Sequence, residues 1–167
     1  MRVTNWRGRM GTVARVAMAV AGTLCGAAAA SAQTAILSGT LGSFDVVNRS
    51  GEPAHGFEIQ LEGAYPTDLY YVVPGGRYGN PQVLPYATGV RIRYSASYAN
   101  GQWSATTPIA NYNNFSWQNC YLGGAGYSTS GCEHFGQSLR ATSSSITVTS
   151  YWLLEDSQNP GQQIGRA

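Results

Sequence analysis

The chain has no lysine, so its positive charge rests entirely on ten arginines. Four of these, Arg2, Arg7, Arg9 and Arg15, fall within the first thirty-two residues, a stretch without a single acid. From Gln33 onward six arginines face eight acids, a net charge of −2, although the whole sequence sums to +2. The part that folds therefore lacks the cationic surplus that nucleic acid or an anionic membrane surface requires. Histidine is almost as scarce, with His55 and His134 alone, and this confines imidazole chemistry to two positions. Of three cysteines, Cys25 belongs to the apolar opening segment, which leaves Cys120 and Cys132 as a pair. Internal repeats are absent, as is any linker long enough to divide the chain. No cofactor is expected.

The opening segment has the form of a secretory leader. The arginines precede an apolar run from Val16 through Ala30, and Ala30-Ser31-Ala32 supplies the small-x-small pattern that signal peptidase cuts. The run is short for a span of about 20 residues and is mostly alanine, which argues against a retained anchor. Leu24 stands immediately before Cys25, where a lipoprotein would need a small residue. Residues 1–32 are thus expected to be a cleaved signal peptide, and 33–167 one domain without a membrane span. Periplasmic or extracellular location follows, and in such an oxidising space Cys120 and Cys132 are expected to form a disulfide. Closing a loop of that length stabilises by about 3 kcal/mol in the entropic model.

After the leader the pattern is that of strands and turns. Phe57, Ile59 and Leu61 alternate with Glu58, Gln60 and Glu62; Val90, Ile92, Tyr94, Ala96 and Tyr98 alternate with Arg91, Arg93, Ser95 and Ser97. Phe44–Asn48 and Leu69–Val73 are strand-like, and Asn100-Gly101 marks a tight hairpin. Ile146, Val148 and Trp152 share a face of a further β-rich run from Ser145 to Leu154. At least six strands in an exported chain point to an all-β fold, an antiparallel β-sandwich of immunoglobulin-like or jelly-roll-like kind, with a small β-barrel as the alternative. Beyond Asn159-Pro160-Gly161 the tail reads as loose.

The most unusual chemistry is gathered in C-Y-L-G-G-A-G-Y-S-T-S-G-C-E-H-F-G, residues 120–136. Glycines, tyrosines and a Cys-Glu-His triple lie in a loop whose base the disulfide would tie. His55, Glu58, Glu133 and His134 have the right chemistry for zinc or copper. Strand parity opposes that grouping, because His55 shares the face of Phe57 and Ile59 whereas Glu58 points the other way. The alternative role for the histidines is a partly buried hydrogen bond to backbone. Zinc held by Cys120, Cys132 and His134, with His55 as a fourth ligand, competes with the disulfide. Ser128 or Ser130 near His134 lacks both an elbow motif and an acid in a third role. Glu58 and Glu62 share a strand face that is expected to be solvated.

Aromatic residues are the stronger pointer. Trp103, Tyr112, Phe115, Trp117, Tyr121 and Tyr127 crowd a region rich in Asn, Ser and Gly. Planar side chains among small polar groups suit sugars and protein surfaces. Trp117, Tyr121 and Tyr127 are the expected contact residues, whereas Trp152 and Trp103 are expected to fill the core.

F-D-V-V-N (44–48), A-H-G-F-E-I-Q-L-E-G (54–63), T-T-P-I (106–109) and G-C-E-H-F-G (131–136) together resemble a set found in uncharacterised exported bacterial β-sandwich proteins. The resemblance covers most of the mature chain and implies no activity, so no site residue is carried over from it. The reading is a secreted binding or surface-structural module, with a glycan or cell-envelope component as partner and no nucleic acid. The alternative is a metal-dependent or hydrolytic enzyme using His55, Glu133 and His134. Intact mass of the exported protein is expected to begin at Gln33 and to fall two hydrogens short of the reduced value; free thiols at Cys120 and Cys132 would contradict it and restore the zinc grouping.

Overall fold

The computed structural model describes residues 36–111, 116–140 and 145–166, with the side chains of 36–40, 117, 118 and 166 excepted. The leader expected over residues 1–32 lies outside the described residues. The described residues form twelve strands in chain order. These are β1 (Ile36–Thr40), β2 (Ser43–Val47), β3 (Ala54–Glu62), β4 (Leu69–Val72), β5 (Gln82–Tyr86), β6 (Gly89–Ser95), β7 (Tyr98–Ala99), β8 (Gln102–Trp103), β9 (Cys132–Phe135), β10 (Gln137–Leu139), β11 (Thr147–Glu155) and β12 (Gln163–Arg166). Helix among the described residues is limited to short 3-10 turns such as Pro66–Asp68. No helix among the described residues is long and apolar enough to cross a membrane.

The fold is all-β and antiparallel, as the alternating pattern requires. One sheet has the order β12-β11-β3-β6-β5, a second β1-β2-β9, and β10-β4 and β7-β8 form two-stranded ribbons. Cross-strand register places Phe57 between Tyr94 and Trp152, Ile59 opposite Ile92, and Leu61 opposite Val90. All seven are buried, and they face Phe44, Val46 and Phe135 of the three-stranded sheet. Phe135 stacks on Phe57 at 4.6 Å between ring centroids and meets Tyr94 at the same distance. The buried Trp152 also fastens the layers by hydrogen bonding, since its Nε1 donates to the Val47 carbonyl at 3.2 Å.

Asn100 and Gly101 turn the β7–β8 hairpin with φ of +53° and +77°, the left-handed pair that a twisted two-residue turn demands. Pro85 lies in β5, an edge strand, where its missing N–H leaves no ladder bond unmade. Residues 163–166, expected to be part of a loose tail, instead pair with β11 from Trp152 to Glu155. The turn at Asn159-Pro160-Gly161 reverses the chain, and Gln163 donates to the His55 carbonyl at 2.6 Å. Val148, expected to share the core face of Trp152, remains 47% exposed at the open end of the sheet.

Glu58 departs from the expected solvated face. It is buried because Tyr151 Oη donates to it at 2.6 Å, Gln60 Nε2 donates at 3.0 Å, and Arg93 lies 3.5 Å away. Its neighbour in the expectation, Glu62, stays exposed and accepts from Tyr86 Oη at 2.8 Å. A polar ladder across β11, β3 and β6 covers the outer surface that alternation alone assigns to solvent.

Phe135→Ala, which removes the ring where the two layers meet, is expected to cost about 3–5 kcal/mol of unfolding free energy. Chemical denaturation checks this; a loss under about 1 kcal/mol would place the layer contact elsewhere.

Candidate functional site

The site is organised by four consecutive residues of β9. Alternation sends Glu133 and Phe135 to the inner face of the three-stranded sheet and Cys132 and His134 to the outer. On the outer face Cys132 is joined to Cys120 by a disulfide and packs with Val47 and Ala110. The pairing expected from the cysteine count is therefore present, and it removes both sulfurs from the zinc grouping.

On the inner face the Glu133 carboxylate is fully buried. Tyr127 Oη donates to it at 2.7 and 2.9 Å, and the backbone N–H groups of His134 and Arg77 donate at 3.2 and 3.3 Å. Arg77 Nε lies 3.2 Å from Oε2, close enough for an ion pair but not aligned as a hydrogen bond. The other end of the guanidinium holds the loop, donating to the carbonyls of Tyr127, Ser128 and Ser130 and to Ser130 Oγ, while its Cζ lies over the Tyr127 ring, 4.3 Å from the centroid. Burial pushes the Glu133 carboxyl above its ordinary 4.5, with its hydrogen bonds and Arg77 opposing. Burial also pushes the Tyr127 phenol up, and the Glu133 charge adds to this. Gly76 is required beside them, because a Cβ there would stand 2.3 Å from Tyr127 Oη and 2.7 Å from Glu133 Oε1.

His134, on the outer face, is fixed on three sides. Its Nδ1 lies 2.7 Å from Asp45 Oδ1, its Nε2 lies 3.5 Å from Ser43 Oγ, and the Tyr121 ring covers it at 4.4 Å between centroids. A cleft of about 300 Å³ opens at this edge, lined by Val73, Pro74, Gly76, Tyr121, Leu122, Glu133 and His134. Tyr121 is 48% exposed and Leu122 73% exposed at its mouth.

His55 belongs to a different environment. It stacks on Trp103 at 4.6 Å and 13° and lies within 3.4 Å of the Ala105 carbonyl and 3.2 Å of Thr106 Oγ1. Burial lowers its pKa below 6.5, against the Ala105 hydrogen bond and the Glu155 charge. It shares no partner with Glu133 or His134, and among the described residues no group of three or more His, Cys, Asp or Glu could hold a metal ion. Trp103, half-buried against the core, is the packing residue its position predicts.

Of the three expected contact residues, Tyr121 lies at the cleft. Tyr127, partly buried, gives its hydroxyl to Glu133 and lies against the Arg77 guanidinium. The Trp117 side chain, with Tyr112 and Phe115, lies outside the described residues. Neither serine once considered with His134 reaches it through any described hydrogen bond: Ser130 is buried against Arg77 and Ser128 offers its carbonyl there. The partners are Ser43 and Asp45, visible in sequence only as an i, i+2 pair whose register against His134 no local pattern gives. Compared with protein-family models, curated proteins and solved structures, the chain matches none.

Two outcomes are expected. Arg77→Met leaves the buried Glu133 carboxylate without its cation and is expected to cost about 3–5 kcal/mol at neutral pH. Because the folded-state pKa of Glu133 is raised, the burden of its charge is complete above that raised value and vanishes below 4.5. The difference between variant and wild type therefore shrinks on acidification; a pH-independent difference would show that Arg77 acts through packing alone. His55→Ala, by contrast, is expected to cost about 1–3 kcal/mol with no metal released, measured by denaturation and elemental analysis.

Proposed function

We propose that the chain is an exported binding module of the periplasm or extracellular space, and that its ligand is a glycan or another cell-envelope component. The supporting observation is the cleft beside β9, where an exposed Tyr121 and Leu122 stand next to the polar edge of His134. An aromatic face with a hydrogen-bonding neighbour suits a sugar ring, whose own surface alternates C–H and hydroxyl groups. The cleft's size is at the lower end of small-molecule sites, roughly 300–1,000 Å³. Disulfide and Arg77 restrict the 120–131 loop before any ligand arrives, which lowers the ordering cost of binding. The disulfide also suits an oxidising compartment, in keeping with the leader-like opening.

Tyr121→Ala is expected to weaken binding about tenfold or more in a glycan and envelope-fraction screen, while unfolding free energy changes by less than about 0.5 kcal/mol. Retained binding in this variant would remove the cleft from the ligand face.

A further inference from the structure

Ser43, His134 and Asp45 stand in the order and with the polarity of an acyl-transfer triad. Ser43 and Asp45 are two apart on β2 and so share a face, and His134 is the cross-strand partner of Asp45 on β9. A carboxylate oxygen only accepts, so the 2.7 Å contact to Asp45 assigns the ring proton to Nδ1. In the neutral ring Nε2 is then the bare nitrogen, and it faces Ser43 Oγ at 3.5 Å. The order carboxylate, Nδ1–H, Nε2, hydroxyl is the one in which a histidine takes a proton from a serine. Such contacts are commonly long before substrate binds and shorten when it does. Asp45 is 8% exposed, whereas Ser43 is open to solvent, so the orienting group is shielded and the reacting one is accessible.

We propose that Ser43 is a nucleophile, His134 its general base and Asp45 a positioning residue, acting on esters of short carboxylic acids. The apolar lining beside the imidazole, Val73, Pro74, Leu122 and the Tyr121 ring, suits a small acyl chain. Ser43 Oγ bonds to the ester carbonyl carbon while its proton passes to Nε2. The ester C–O bond then breaks and the alcohol leaves with that proton. Water attacks the acyl-serine, Nε2 takes its proton and returns it to Oγ, and the carboxylic acid departs. This activity does not depend on glycan binding at the cleft.

The test is labelling of the mature protein with a fluorophosphonate, the modified residue being located by mass spectrometry. Labelling is expected at Ser43, absent in Ser43→Ala and slowed about 100-fold or more in His134→Gln. Ser43→Ala removes one exposed hydroxyl, and an unchanged circular dichroism spectrum in that variant separates loss of labelling from loss of structure. If circular dichroism shows His134→Gln unfolded, Asp45→Asn replaces it, with slowed labelling expected. A Ser43 that reacts no faster than exposed Ser97 or Ser104, or at an unchanged rate in the folded His134 or Asp45 variant, would overturn the proposal.

Discussion

A carboxylate without solvent exposure is the constraint around which this molecule is arranged. Glu133 points into the sandwich beside Phe135, where an unpaired charge would be several kcal/mol too costly to keep. Arg77, Tyr127 and two backbone N–H groups surround it; Arg77, through its guanidinium and its own N–H, and Tyr127 tie two separate pieces of chain to β9, and the His134 N–H comes from β9 itself. Arg77 comes from the turn after β4, and Tyr127 from the middle of the disulfide loop. The same guanidinium that balances Glu133 also binds three loop carbonyls, so charge compensation and loop placement are one interaction. Loss of either partner loosens both.

The two faces of β9 divide the labour. Phe135 joins the core and Glu133 anchors the loop from inside, while Cys132 anchors it from outside through Cys120. His134 is left between these fixed points, its ring set by Asp45, Ser43 and Tyr121. A histidine so placed has little freedom to rotate, which favours orientation over adaptability in whatever it contacts. His55 is held as firmly by Trp103 and the Ala105 carbonyl, yet burial lowers its pKa and its surroundings are those of a packing residue.

The sandwich was legible in the sequence because period-two alternation reports which face of a strand is buried. Phe57, Ile59, Leu61, Val90, Ile92 and Tyr94 all lie where their parity puts them. Parity fails to report what covers the other face, and so Glu58 was misplaced: its shielding comes from Tyr151 and Arg93 on neighbouring strands. The edge strand β12 was missed for a related reason, since four residues with one apolar side chain form a strand only because β11 offers an open ladder. The disulfide was legible from cysteine number and the leader. The contact between His134 and the Ser43–Asp45 pair was not, because it depends on cross-strand register over 89 and 91 positions of sequence. The hydrogen bond from Tyr127 to Glu133, six residues later, was not legible either, because it depends on the loop folding back over the inward face of β9.

Hydrogen–deuterium exchange on wild type and Arg77→Met tests most directly whether Glu133 and Arg77 hold the loop against β9. The account predicts that amides of residues 124–131 lose protection in the variant at neutral pH, while those of β3, β6 and β11 exchange as in wild type. Unchanged protection across 124–131, or a loss spread evenly over both sheets, would contradict it.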